Sequence, residues 1–376
     1  MRFLRFLGQA VFVVLLVVVA REAFLNVVFG VAEQGLDLSF DFLRQRAGFG
    51  IAEGIGYQPN ESYLKAFQVG VANTIRVAAI GILLATLLGL VMGVARVSSN
   101  WLVRKVAQVY VEVVRNTPVL VQIIFWWGTV FLAAPQVEDS WSLGGLAFIS
   151  VKRAAVPWFH LEPGGALWGL FLVAGAVAAA AAWRWRTRAA ERTGRPARRF
   201  LWAAAILCVV SLAGFFASGT PLRGDVPAVR EFGYRGGLQL SPEFAALLLG
   251  LVVYTGAFIA EIVRGSIQAV PKGQKEAAEA LGLGPAQQLR YVVLPQALRM
   301  AIPPLNSQYL NLTKNSSLAV AIGYPEIVLV SSTIINQAGR ATQMLLIMMT
   351  TYLTLSLVIS FLMNSLNRVV AGKGQR

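Results

Sequence analysis

Three groups of residues in this chain have types and spacings that could do chemistry. The first is Glu276-Ala277-Ala278, separated by three residues from Gly282 and by nine more from Val292-Val293-Leu294-Pro295. Its chemistry is docking. Small side chains let a partner approach closely, a glycine permits a sharp reversal, and Glu276 can pair with a base across an interface. The second is a polar island, Asn311-Leu312-Thr313-Lys314-Asn315-Ser316-Ser317, set inside an otherwise apolar stretch. The third, Gly372-Lys373-Gly374, lacks the hydroxyl residue and surrounding loop of a GxxxxGK[ST] phosphate cradle, so no nucleotide site is expected on this chain. His160 and Cys208 are each the single residue of their type, which leaves no His/Cys metal cluster, no disulfide framework and no nucleophile set. The chain is read as a non-enzyme with no cofactor of its own.

Such residues must be held by elements, and the composition says which solvent those elements face. Of 376 residues, 56% are hydrophobic and 14% charged, against roughly 45–50% apolar in soluble domains. The bulk solvent is lipid. A net charge of +15 would suit a nucleic-acid binder, but the Lys and Arg residues fall in short runs between apolar stretches. Windows of about 20 apolar residues predict spans near 8–29, 70–95, 118–134, 166–183, 201–218, 243–263, 302–335 and 342–366. The fold class is therefore an all-α integral membrane protein with about eight transmembrane helices. Arg2 and Arg5 before the first run resemble a signal-peptide start. That run exceeds a typical h-region, however, and Arg21-Glu22 interrupts it without a small-x-small site, so a retained span is expected.

Loop charges set the orientation. Residues 31–67 carry Glu33, Asp37, Asp41, Glu53 and Glu61 against Arg44, Arg46 and Lys65, whereas 96–117 carries Arg96, Arg104, Lys105 and Arg115 against Glu112. The 184–199 loop adds Arg184, Arg186, Arg188, Arg192, Arg195, Arg198 and Arg199 against Glu191, and 264–300 adds Arg264, Lys272, Lys275, Arg290 and Arg299. Under the positive-inside rule these alternate loops agree, with both termini cytoplasmic. The 184–199 run reads as a topology anchor, with a lipid-headgroup or partner site as its alternative. Phe125-Trp126-Trp127 and Trp183-Trp185 read as interfacial aromatics. The stretch from about 134 to 240 looks inserted, with two extra spans between the halves of a three-plus-three body.

Residues 264–295 read as a cytoplasmic knob of two short helices. Pro271 sits at a first helical position, Gln274 to Leu281 favour helix, Gly282 stops it, and a second helix starts at Pro285 towards Val293. The spacing resembles the EAA loop of ABC-type importer permeases, EAA-x3-G-x9-I-x-L-P, with Val292 in place of Ile. Arg115-Asn116-Thr117-Pro118-Val119-Leu120-Val121-Gln122 is similar to the RGTPLLVQ segment of polar amino-acid permeases, with Asn116 where glycine is usual. Ala260-Glu261-Ile262-Val263-Arg264-Gly265, Val270-Pro271-Lys272-Gly273-Gln274, Leu294-Pro295-Gln296-Ala297-Leu298-Arg299, Pro303-Pro304 and Lys314-Asn315-Ser316-Ser317-Leu318 resemble the same subfamily. The insertion looks like the general L-amino-acid branch, whose members work as two related membrane subunits.

The resemblance implies a type-1 ABC importer permease core with an inserted helical hairpin. Its domains would be 1–68 (first helix and periplasmic segment), 69–366 (transmembrane domain, interrupted at about 134–240, coupling loop 264–295) and 367–376 (cytoplasmic tail). It further implies a multi-pass protein of the bacterial inner membrane that translocates polar or general L-amino acids. The implied partners are cytoplasmic ABC ATPases holding ATP and Mg, a second related permease in a heterodimer, a periplasmic amino-acid-binding protein and membrane lipid, without nucleic acid. Glu276, Ala277, Ala278, Gly282, Leu294 and Pro295 would then be the ATPase-coupling residues.

For the substrate path the expectation rests on length. Ala301 to Gln337 would run about 55 Å as one helix, well beyond a bilayer core, so a break is expected at Gly323-Tyr324-Pro325. Asn311, Lys314, Asn315, Ser316 and Ser317 near mid-membrane either line the solute path or pair within the bundle. Glu261 is expected to pair with Arg264, three residues along its helix. A secondary transporter or channel independent of an ATPase is the alternative, although it would have no use for an EAA-type knob. From the charge alternation, cysteines introduced at Asp41 and Glu191 should react with an impermeant thiol reagent from opposite faces of the membrane; labelling of both from outside would contradict the eight-span arrangement.

Overall fold

The computed structural model describes residues 2–33, 39–54, 56–193, 199–230 and 233–372. Asp37, Arg195, Arg198 and the tail positions Lys373 and Gly374 lie outside the described residues. The chain divides into two compact units, Met1–Glu112 with Thr255–Arg376, and Val113–Tyr254.

The first unit is built on long helices: α1 (Arg2–Glu33), α2 (Tyr63–Arg96), α3 (Trp101–Arg115, its end in the second unit), and then α7 (Pro242–Gln268, its first half in the second unit), α8 (Lys272–Ala280), α9 (Pro285–Gln288), α10 (Leu294–Asn315), α11 (Ile327–Ala338) and α12 (Ala341–Gly372). Among the described residues, five helices are long and apolar enough to cross a membrane, namely α2, α5 (Gly165–Thr193), α6 (Arg199–Ala217), α7 and α12, and the pair from Pro285 to Ala338, bent by 53°, makes a sixth. The two other expected spans fall on shorter apolar stretches, Leu7–Val19 and Val119–Phe131. The lipid reading explains a surface that water would not tolerate: Leu353, Leu357 and Phe361 on α12 are exposed.

Small residues set the spacing between α2 and α7. A Cβ at Gly89 would lie 2.5 Å from Ile259 Cβ and 2.9 Å from the Gly256 carbonyl; one at Gly93 would lie 2.6 Å from Val263 Cβ and 2.8 Å from the Ala260 carbonyl. In lipid, where apolar burial drives little, such close backbone approach is what packs two helices. Farther along, Phe42 of a short 3₁₀ turn (Asp41–Arg44) buries with Tyr63 and Phe67 of α2, Ile327, Val330 and Ile334 of α11, and Met344 of α12. The segment after α1 is thus tied to the bundle.

The second unit carries α4 (Val119–Phe125), which continues as a π-helical turn through Phe131, and the hairpin α5–α6. Gly175 and Gly214 close the hairpin against Val210 and Phe171. The expected 184–199 loop is mostly helix: α5 carries its arginines out to Thr193, and Arg186 lies 4.9 Å over the Trp202 ring while Arg199 lies 5.3 Å over Trp183. Those cations therefore brace the hairpin through the ring faces.

Four features differ from the sequence expectation. The chain is not all helix: β1 (Trp141–Leu143), β2 (Ala147–Ile149), β3 (Ala154–Val156) and β8 (Leu238–Leu240) form one antiparallel sheet. Two further pairs join β4 (Trp158–Leu161) to β5 (Leu222–Asp225) and β6 (Ala228–Arg230) to β7 (Gly233–Arg235). His160 sits opposite Arg223 in the first of these. The strands are three or four residues long, too short for alternation to be seen along the chain. The 96–117 segment is not a loop, because α3 occupies most of it with Trp101, Leu102 and Val106 exposed. The 264–295 loop starts late, since α7 runs through Gln268. Its second helix does not end at Val293 either: α9 passes through a π turn, Leu289–Val293, directly into α10.

The α2–α7 contact predicts an asymmetric pair of substitutions. Gly93→Val should sharply lower the thermal unfolding temperature and yield of detergent-purified protein, because the added atoms meet the Ala260 carbonyl. Gly265→Ala, with nothing within 4 Å of its Cβ on the same helix pair, should leave both unchanged.

Candidate functional site

The candidate coupling site is α8 and the turn that follows it. Pro271 is the N-cap residue, one position earlier than expected, with φ −54° and ψ 137°, and the helix starts at Lys272. The helix ends as the spacing required. Gly282 takes φ +74°, its amide donates to the Glu279 carbonyl at 2.8 Å, and the Leu283 amide donates to the Ala278 carbonyl at 3.1 Å. These are the two hydrogen bonds of a Schellman motif, which needs a residue at positive φ.

This knob is tied down at its base and open at its tip. Val270, Val293 and Ala297 form a buried cluster with Ile267, linking the ends of α7 and α10 beneath α8. Gln296 donates to Gln274 at 3.3 Å, and Gln288 donates to the Leu283 carbonyl at 2.8 Å. Ala278 is buried, whereas Glu276, Ala277 and Gly282 face outward, as do Leu294 and Pro295 nearer the α10 start. Leu281 is 80% exposed at the tip. Sequence reasoning passed over it, although a leucine immediately before the helix-stop glycine of a polar loop is the available signal. The π turn runs into α10 without a break, so α9 and α10 form one continuous helical piece to which α8 is joined through the turn at Gly282.

Farther back along α7, Glu261 pairs with Arg264 as expected, with Arg264 Nε donating to Oε2 at 3.0 Å. It also pairs with Arg96 at the end of α2. That second cation, 165 residues away in the chain, was not visible from spacing.

The polar island divides. Asn311 and Lys314 face outward on α10, Asn315 and Ser317 are half-buried, and Ser316 is buried. Ser316 and Ser317 each donate at 2.7 Å to a carbonyl three residues back, Thr313 and Lys314. Lys314 forms no ion pair among the described residues. The structure thus leaves the lysine and Asn311 together on an outer face and turns Ser316 inward.

The helix breaks where Gly323-Tyr324-Pro325 stands. A 3₁₀ stretch, Ser316–Ile322, ends in Gly323 at φ +77°, and α11 restarts after Glu326. The restart is heavily satisfied. The fully buried Glu326 carboxylate accepts from the Val328 and Leu329 amides at 2.8 and 3.0 Å and from the Tyr352 hydroxyl of α12 at 3.0 Å. Thr74 of α2 accepts from the Ile327 amide at 3.2 Å, and Asn73 donates to the Pro325 and Glu53 carbonyls, both at 2.8 Å. Glu53 in turn binds Arg76 at 2.6 Å. Of this set the sequence marked only Pro325, as part of the break, and Glu53, as a loop charge; Glu326 was passed over, though an acid just ahead of an apolar helical run is an N-cap signal.

A bundle of apolar helices with a discontinuous span and an EAA-spaced docking knob defines the membrane component of a transport system. The chain belongs to the family of binding-protein-dependent transport system inner membrane components, which matches residues 85–373. Its relatives include the general L-amino acid transport system permease protein AapQ of Rhizobium johnstonii, 44% identical over 92% of this chain and 87% of AapQ. The Escherichia coli (strain K12) protein YhdX, provisionally named an amino-acid ABC transporter permease protein, is 44% identical over 97% of this chain and 93% of its own. The glutamate/glutamine/aspartate/asparagine transport system permease protein BztB of Rhodobacter capsulatus is 37% identical over 95% and 92%. The chain is therefore an inner-membrane transport component of permease type.

Glu326 yields a stability test. Glu326→Ala strands two part-buried amides and a tyrosine hydroxyl, each left without its acceptor at a cost of up to about 1–3 kcal/mol, and should lower the unfolding temperature of purified protein markedly. Glu326→Gln keeps one acceptor oxygen for the amides and should fall between it and the native chain. Equal melting of all three would show that the cap is dispensable.

Proposed function

We propose that this chain is one permease subunit of an ATP-driven importer for polar or general L-amino acids. The observation that carries the reading is the α8 knob, whose Schellman turn at Gly282 presents Glu276, Ala277 and Leu281 outward while its base is fixed to α7 and α10. A surface of small residues and one acid, joined rigidly to a membrane helix, suits a partner that delivers mechanical work rather than a solute. That partner is a cytoplasmic ABC ATPase holding ATP and Mg. The loop charges support an orientation with α8 and both termini in the cytoplasm.

The substrate class follows from the relatives named for general L-amino acids and for glutamate, glutamine, aspartate and asparagine. The solute is delivered by a periplasmic binding protein, and the path is completed by a second, related permease subunit in a heterodimer. Asn311 and Lys314, exposed on α10 with no ion partner on this chain among the described residues, suit a face that meets the solute or that second subunit, and Asn315, Ser316 and Ser317 continue it towards the break. At mid-membrane a lone cation is retained for such a purpose rather than exposed to lipid.

Gly282→Asp tests the coupling role. A side chain at φ +74° costs roughly 1–2 kcal/mol, and because nothing lies within 4 Å of the Cβ the effect is conformational rather than a clash. The variant should insert normally but lose ATPase co-purification, substrate-stimulated ATP hydrolysis and uptake in reconstituted vesicles. Full retention of all three would remove α8 from coupling, and gradient-driven uptake by the chain alone would favour a secondary transporter.

A further inference from the structure

A cavity of about 800 Å³ opens in the first unit where the ends of α2 and α7 meet α8, α9 and the start of α10. We infer that it holds one anionic phospholipid, head towards α8 and chain between α2 and α10. The inference does not rest on the transport reading.

The polar end of the cavity is cationic. Arg96, Arg104 and Lys275 line it and no carboxylate does. Arg96 is neutralised by Glu261, but Arg104 spends one N–H on the Ser98 carbonyl at 2.8 Å, and neither it nor Lys275 forms an ion pair among the described residues. Two uncompensated cations remain, with Ser98, Ser99 and Gln288 beside them as hydrogen-bonding groups. That set is a phosphate-binding chemistry.

The remaining wall decides between a free anion and a lipid. Leu90 and Val94 of α2 and Leu294 and Leu298 of α10 line the cavity, yet each keeps 42–49% of its surface exposed. An apolar wall that runs outward onto the helix surface admits an acyl chain from the bilayer, whereas a phosphate ion would leave it unfilled. The volume lies within the range of roughly 300–1,000 Å³ typical of ligand sites, which suits a headgroup and upper chain. Trp101, 66% exposed three residues before Arg104, supplies the amphipathic ring found at headgroup depth. Lys275 belongs to α8, so the headgroup would sit directly against that helix and stiffen its base.

The full-length chain, purified from nanodiscs of phosphatidylcholine alone or mixed with phosphatidylglycerol, is to be analysed by native mass spectrometry for retained lipid. Native protein should keep one phosphatidylglycerol and little phosphatidylcholine. Arg104→Gln with Lys275→Gln should weaken retention roughly tenfold or more, while Arg188→Gln with Arg192→Gln on α5 should not. Leu298→Trp, which fills the apolar wall and spares the cations, should also lose the lipid. The proposal is overturned if the Arg104/Lys275 double variant retains phosphatidylglycerol like native protein. It is equally overturned if millimolar inorganic phosphate displaces the lipid from native protein and the Leu298→Trp variant retains it, which would make the site one for free anions.

Discussion

Backbone that leaves helical geometry inside a membrane bundle must find new partners for its amides, because lipid supplies none. In this protein that constraint is met at residues 323–326. Glu326 takes two amides at the head of α11, Thr74 takes a third, and Asn73 holds the Pro325 carbonyl. The break therefore draws α2, α11 and α12 together, and the buried cluster from Phe42 to Met344 assembles around it. A carboxylate is suited to this position because it accepts several hydrogen bonds at once, and its charge lies on the positive end of the α11 dipole.

The same helix that breaks at one end is unusually continuous at the other. Between α9 and α10 the π turn keeps the chain wound through Leu294-Pro295, where proline would otherwise mark a boundary. The α9–α11 segment is thus wound without interruption at the knob and broken beyond Asn315, where side chains of α2 hold the freed backbone and Tyr352 of α12 holds the Glu326 cap. The close α2–α7 contact at Gly89 and Gly93, with the Arg96–Glu261–Arg264 group at its end, fixes those two helices against each other.

What was legible in the sequence follows how local the cause is. Gly282 and Gly323 both adopt positive φ, as a helix stop and a helix break require, and each could be read from its neighbours. The Glu261–Arg264 pair was readable from helical spacing alone. Glu326 with Tyr352, Asn73 with Pro325, and Arg96 with Glu261 join residues 26, 252 and 165 positions apart, and a single sequence carries no sign of such meetings. Lys314 was legible as an anomaly in an apolar stretch, but not the fact that it stands outward while Ser316 two residues on turns in. The short strands between 141 and 240 escaped notice because three residues show no period.

Those strands bear on how the α5–α6 hairpin is attached. β3 leaves towards α5 and β8 returns from α6 as antiparallel neighbours, Ala154 opposite Leu240 and Val156 opposite Leu238. The chain thus departs and comes back through adjacent positions in one sheet, the arrangement in which domain insertion is tolerated. Tyr234, on the returning side, buries against Val137 and Ala155 and stacks on Phe148, which adds a second hold to the strand pair. Such a clasp sets the two ends of the hairpin segment side by side, so a change of length within α5 and α6 leaves the ends to which it is attached in place.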